Sequence, residues 1–206
     1  MSTKEKPIPS FGEVYLFTGV NGSGKTTILD RSMVSHSNFY RFSASGRLMV
    51  RLGIDSGDYR ALRQLDDDTK NRAFDELMCD VLAKKNTSSV GILAIDTHVI
   101  HCRGGECIPC PTNWMSHGVD GIVVIQVDPL ILFERIMVDS KKRDSLPREA
   151  EKAEQIRFFR DSSSAVLGRS REIATELDIP LWIIDNSGML RASLAQVNQI
   201  LFGENG

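Results

Sequence analysis

Residues 14–27 read VYLFTGVNGSGKTT. Val14 to Thr18 is a short strand-like run that passes straight into a glycine-rich turn ending in Lys25, Thr26 and Thr27. Gly19, Gly24, Lys25 and Thr26 meet the spacing Gly-x4-Gly-Lys-[Ser/Thr] of a phosphate-binding loop. The glycines permit a tight turn, successive backbone N–H groups and a helix N-terminus face the anion, the lysine adds a mobile charge, and the threonine hydroxyl can ligate magnesium. The string lies between a strand and a helical stretch from Lys25 to about Ser35, the context that gives it meaning. Asn21, Gly22, Ser23 and Thr27 complete the expected cradle for a nucleotide triphosphate, with ATP and magnesium as the implied cofactors.

Outward from this loop, short apolar runs alternate with longer amphipathic ones, and no internal repeat interrupts them. "FYRF" (Phe39 to Phe42), "GILAID" (Gly91 to Asp96), "GIVVIQV" (Gly121 to Val127) and "PLWIID" (Pro180 to Asp185) read as further strands. "GILAID" and "GIVVIQV", apolar on both faces, suit a parallel sheet covered on both sides. Between Asp66 and Lys85, the residues Ala73, Phe74, Leu77, Met78, Val81 and Leu82 recur at helical spacing, behind three aspartates suited to the positive end of a helix. Asp128 and Pro129 are placed to start another helix, and Met189 to Phe202 closes the chain. Five strands, each followed by helical text, predict one α/β domain of the P-loop type over residues 1–206.

The bulk properties narrow the function classes. With 25 basic and 27 acidic residues the formal charge is −2, which offers no overall attraction for nucleic acid or an anionic membrane, so any anion site is local. The apolar runs are too short to cross a bilayer and the first residues lack a secretory stretch, so a cytoplasmic location with reduced cysteines is expected.

The residues just past the third strand narrow the reaction. Asp96 is succeeded by Thr97, where hydrolysing ATPases usually carry a glutamate that polarises water, and no Asn/Thr-Lys-x-Asp element is present to read guanine. Transfer to a bound acceptor is therefore expected over hydrolysis. Such transfer needs alignment, magnesium and positive charge around the moving phosphoryl group. Arg135, Arg143, Arg157 and Arg160 bracket the polar loop "DSLPRE" and suit a closing flap.

The strings "TGVNGSGKTT", "LRQLDDDTKNR", "IDTHVIHCRGGECIPCP", "KKRD" and "EQIRFFR" together resemble the nucleoside monophosphate kinases, most closely the archaeal-type adenylate kinases. The resemblance implies a five-stranded parallel sheet of order 2-3-1-4-5, a helical acceptor arm at about 43–85 and a short lid at about 139–150. On that likeness Lys25 and Thr26 hold the triphosphate and magnesium, and Asp96 positions magnesium waters or the acceptor. Arg135, Arg143 and Arg160 would neutralise the transferred group, with Arg157 competing for the last role. Ser45, Gly46 and Arg63 would border the acceptor, and Asn186 would lie near the donor adenine. Members of the family form trimers, which implies a homo-oligomer here. The family's Thr-Gly-Asp at the acceptor helix is replaced by Ser45-Gly46-Arg47, and Arg51 falls one place late. The acceptor is accordingly AMP, another nucleotide or a small hydroxylated metabolite, and a nucleotide-gated binding module stands as the non-catalytic alternative.

His98, just past Asp96 at a strand's carboxyl end, is either an acceptor contact or a packed core histidine. In the same segment Cys102, Cys107 and Cys110 with a histidine could satisfy tetrahedral zinc. A metal-free hairpin with Gly104-Gly105 at its tip is preferred, and a Cys107/Cys110 redox pair is a third reading.

Overall fold

Side chains of β1 (Glu13–Thr18) alternate between two cores: Val14 and Leu16 face one, Tyr15 and Phe17 the other, and all four are buried. A strand buried on both faces belongs at the centre of a covered parallel sheet. In the computed structural model, which describes residues 9–55, 57–103, 105–138 and 150–203, that is where it lies. It pairs in parallel with β3 (Ile92–Asp96) on one side and β6 (Gly121–Gln126) on the other. β2 (Phe39–Ser43) and β7 (Leu181–Asp185) extend the sheet outward, again in parallel. The order is β2-β3-β1-β6-β7, which is 2-3-1-4-5 when the strands of this sheet alone are counted.

One face is covered by α1 (Lys25–Ser35) and α7 (Leu190–Phe202), whose Ile28, Leu29, Val197 and Leu201 pack on Phe17, Val123 and Ile125. The other carries α4 (Asp67–Leu82), α5 (Pro129–Val138) and α6 (Lys152–Leu177), with a 3-10 turn at Asn113–His117. Local chemistry starts these helices. The Asp66 carboxylate accepts from Thr69 N–H at 2.7 Å, and this bond holds the carboxyl below its usual range. Asp128 accepts from Leu130 N–H at 2.9 Å, ahead of Pro129. Glu151 and Glu154 form a reciprocal capping box at the head of α6.

Two shorter helices, α2 (Ala44–Arg51) and α3 (Tyr59–Gln64), join β2 to α4. Arg51 clamps α2 to α4, donating to Asp80 at 2.8 Å and Glu76 at 2.9 Å. Each such surface pair contributes roughly 0.2–1 kcal/mol. Most of the expected lid, residues 139–149 including Arg143, lies outside the described residues.

The cysteine segment forms the expected hairpin, β4 (Ile100–Arg103) and β5 (Glu106–Pro109), as a separate two-stranded sheet. Gly105 has φ 96°, while Gly104 is outside the described residues. The thiols depart from expectation. Cys102 and Cys107 are joined in a disulfide, so they are neither reduced nor available with Cys110 as a zinc-ligating trio. Register is the cause: with Arg103 opposite Glu106, Cys102 and Cys107 face one another directly across the ladder. The same bond removes Cys107 from any pairing with Cys110, whose thiol burial pushes up to about 11.

Candidate active site

Because β1 sits between β3 and β6, the loop at its end emerges at the carboxyl edge of the sheet, where open α/β sheets place their ligands. Two glycines are required there by space as well as by dihedral. A Cβ on Gly19 would lie 2.5 Å from the Ile125 carbonyl oxygen. Gly24 caps α1 with φ 90°, and a Cβ there would lie 2.4 Å from Asn186 Nδ2. Lys25, 6% exposed, curls its ammonium back to donate to Gly19 O at 2.8 Å and Val20 O at 3.2 Å. Buried Ser23 Oγ has no hydrogen-bond partner among the described residues.

Thr26 Oγ1 donates to Asp96 Oδ2 at 2.9 Å. The pair forms because Asp96 ends β3 opposite Phe17 of β1, one turn of chain from the start of α1. Thr26 is exposed and Asp96 partly so, leaving both oxygens open to a cation. Hard oxygen donors beside a glycine cradle, a buried lysine and an unsatisfied serine hydroxyl fit magnesium and a polyphosphate. Lys25, Thr26 and Asp96 are the residues that would hold them. Magnesium bound there would neutralise phosphate charge.

His98 is brought to the same loop. Its Nδ1 lies 3.1 Å from Gly19 O. A carbonyl only accepts, so Nδ1 carries the proton and Nε2 keeps its lone pair. Burial in the first place, then the nearby positive charge of Lys25 and the ring of His101, push its pKa well below the ordinary histidine value, against a smaller opposing effect of Gly19. The ring is therefore neutral near pH 7. It stacks on His101 at 5.3 Å between centroids. The backbone beside it is tied to β1 by Thr97 N–H to Phe17 O and Val99 N–H to Thr18 Oγ1.

On the opposite side α5 abuts the loop: a Cβ on Gly22 would lie 3.0 Å from Ile136 and 3.1 Å from Leu132. One turn of α5 therefore carries Arg135 to the site, where its Nη2 donates to Asn186 O at 2.8 Å. Arg157 and Arg160 stand exposed on α6, and Arg157 faces Asp161 at 3.8 Å. Arg143 falls outside the described residues. Ser45 and Gly46 occupy the first turn of α2, directly past the carboxyl end of β2, whereas Arg63 is exposed on α3. Arg47 is half-buried with its guanidinium 5.8 Å from the Phe42 ring centre. Arg51 is engaged by Glu76 and Asp80.

Asn186, expected near the adenine, is turned beneath the loop. Its Nδ2 donates to Ser23 O at 2.8 Å and its Oδ1 accepts from Ser193 Oγ at 2.9 Å, with the residue 5% exposed. Ser193 carried no signal in the sequence, since its partner is seven residues away across a turn and its role is set by tertiary contact. Two shallow clefts among the described residues, one at the amino ends of the strands beside Lys85 and Asp120, one beside Arg171 and Ile179, contain none of the loop residues.

No family model matches the chain, and no curated protein matches it. Among solved structures it is similar to a shikimate kinase from Bacteroides thetaiotaomicron, with a TM-score of 0.59 and 17% identity over 92% of this chain and 98% of that one. At that identity the likeness is one of fold, and it agrees with the sheet order and loop described above: the chain has the α/β architecture of a P-loop kinase.

Proposed function

We propose that the chain is a magnesium-dependent phosphotransferase that moves the terminal phosphoryl group of ATP to a nucleoside monophosphate, AMP in the first instance. The observation that carries this reading is the Thr26–Asp96 pair, 2.9 Å apart, at the mouth of a loop whose lysine is already held inside its curve. The absence of a carboxylate at Thr97 supports transfer over hydrolysis. In the reaction the bond between the γ-phosphorus and the β,γ-bridging oxygen breaks and a bond to an acceptor phosphate oxygen forms, leaving ADP and a nucleoside diphosphate. Such an acceptor oxygen is already anionic, so the protein has to align and neutralise, and no base is required. Lys25 serves the phosphates, Asp96 and Thr26 the metal, and Arg135 the moving charge, with Arg143 and Arg160 assigned to the same charge on the family likeness. Ser45 and Gly46 border the acceptor. The chain would act without nucleic acid or a membrane, in the cytoplasm, and as a homo-oligomer on the family likeness.

A second reading, transfer to a small hydroxylated metabolite, is favoured by the similar solved structure, which is a kinase named for shikimate. A hydroxyl acceptor must lose its proton, and the neutral His98 or Asp96 would take it. Purified protein with ATP and magnesium, offered a panel of nucleoside monophosphates and hydroxylated acids, separates the two. ADP released with AMP supports the first, ADP released only with a hydroxylated acid replaces it with the second, and ATP binding without release for any acceptor leaves a binding module.

A further inference from the structure

Asn186 joins four parts of the site. Its backbone N–H donates to Gln126 O at the end of β6 at 2.8 Å. Its backbone carbonyl accepts from Arg135 of α5, its side-chain oxygen from Ser193 of α7, and its side-chain N–H group donates to Ser23 of the loop. Every polar atom of the residue is thus committed to the protein, and the side chain is buried. The Ser23 carbonyl only accepts, so the NH2 end of the amide must face it and Oδ1 is left toward Ser193 Oγ, which also lies 3.1 Å from Asp185 O.

The held carbonyl sets a peptide plane. In a trans peptide the C=O and the following N–H point to opposite sides. Tying Ser23 O down toward Asn186 therefore turns the Gly24 N–H away from it, at the start of α1, where phosphate-binding loops present their amides. Gly24 at φ 90° has no Cβ that would otherwise crowd the amide at 2.4 Å. We propose that Asn186 is a positioning residue for the phosphate loop: through Ser23 O it holds the 23–24 peptide in its anion-facing orientation and links that orientation to Arg135. The proposal rests on the phosphate-binding reading of the loop and is independent of which acceptor is used.

A contact with adenine and a hold on the loop differ in what they do to a ligand without a base. The test compares MgATP with inorganic tripolyphosphate and magnesium, binding being measured by calorimetry on wild-type protein, Asn186→Asp and Ser193→Ala, with Tm recorded for each. Asn186→Asp keeps the size of the side chain and sets an acceptor against the Ser23 carbonyl. The expected result is a loss of about tenfold or more for both ligands alike, with a smaller loss, about threefold, for Ser193→Ala. A loss confined to MgATP, or none for either ligand in a folded variant, overturns the proposal. If Asn186→Asp does not fold, Ser193→Ala decides: equal weakening of both ligands supports the role, and unchanged binding of both overturns it. Wild-type protein that binds neither ligand overturns the phosphate-loop reading and this role with it, a failure distinct from a variant that binds as well as wild type.

Discussion

Lys25 is buried on the loop carbonyls and Asp96 is tied to Thr26, so on the proposed function their removal would act on phosphate and metal. Lys25→Ala and Asp96→Asn are each expected to lower the rate of ADP formation about a hundredfold or more, the usual size for deleting one preorganised electrostatic group. Steady-state assay at saturating ATP checks this, and a variant within tenfold of wild type would remove that residue from the mechanism. His98 carries a pH dependence with a definite sign. Its folded pKa lies well below the ordinary value, whereas in the unfolded chain it titrates near 6.5. Below about pH 6.5 the unfolded state binds a proton that the folded state does not, so stability is lost as pH falls through that value. His98→Gln is expected to flatten the fall in Tm between pH 7.5 and pH 5.5, and an equal fall in both proteins would show that the imidazole is not held neutral.

At the scale of elements, the hairpin of β4 and β5 shows where sequence reading stops. Gly104-Gly105 between two short runs gave the turn, but the disulfide needed the register, which seats Cys102 opposite Cys107. Asn186 is similar: its place after β7 could be read, but its partner Ser23 lies 163 residues away. Arg51 could be read only as one place late for the family's acceptor pattern, and its tie to two carboxylates of α4 depends on a helix packed alongside, which spacing does not show. The disulfide predicts a thiol count. Of four cysteines, unfolded and unreduced protein should expose two, Cys79 and Cys110, to a thiol reagent, and four after reduction. Closing so short a loop stabilises by up to about 2 kcal/mol, so reduction should lower stability by no more than that. Four reactive thiols without reductant would contradict the bond.

For the whole molecule, a covered parallel sheet was legible because the β3 and β6 runs are apolar on both faces, and the loop because it joins β1 to α1 without a break, whereas the order of the strands came only from the family likeness. That order places the loop at the sheet's carboxyl edge and Asp96 beside it. The acceptor was not legible, since it depends on the side chains that α2 and α3 bring beside the loop, and neither spacing nor composition encodes that geometry. Phosphoryl transfer between two ligands remains the claim on which the site's other roles depend. The most direct measurement is phosphorus NMR of ATP and magnesium incubated with the protein, with and without AMP. The expected result is ADP formed in the presence of AMP, two molecules for each ATP consumed, with no inorganic phosphate and with formation slowed about a hundredfold or more for Lys25→Ala. Release of inorganic phosphate at the same rate with and without AMP would contradict transfer and make the protein a hydrolase.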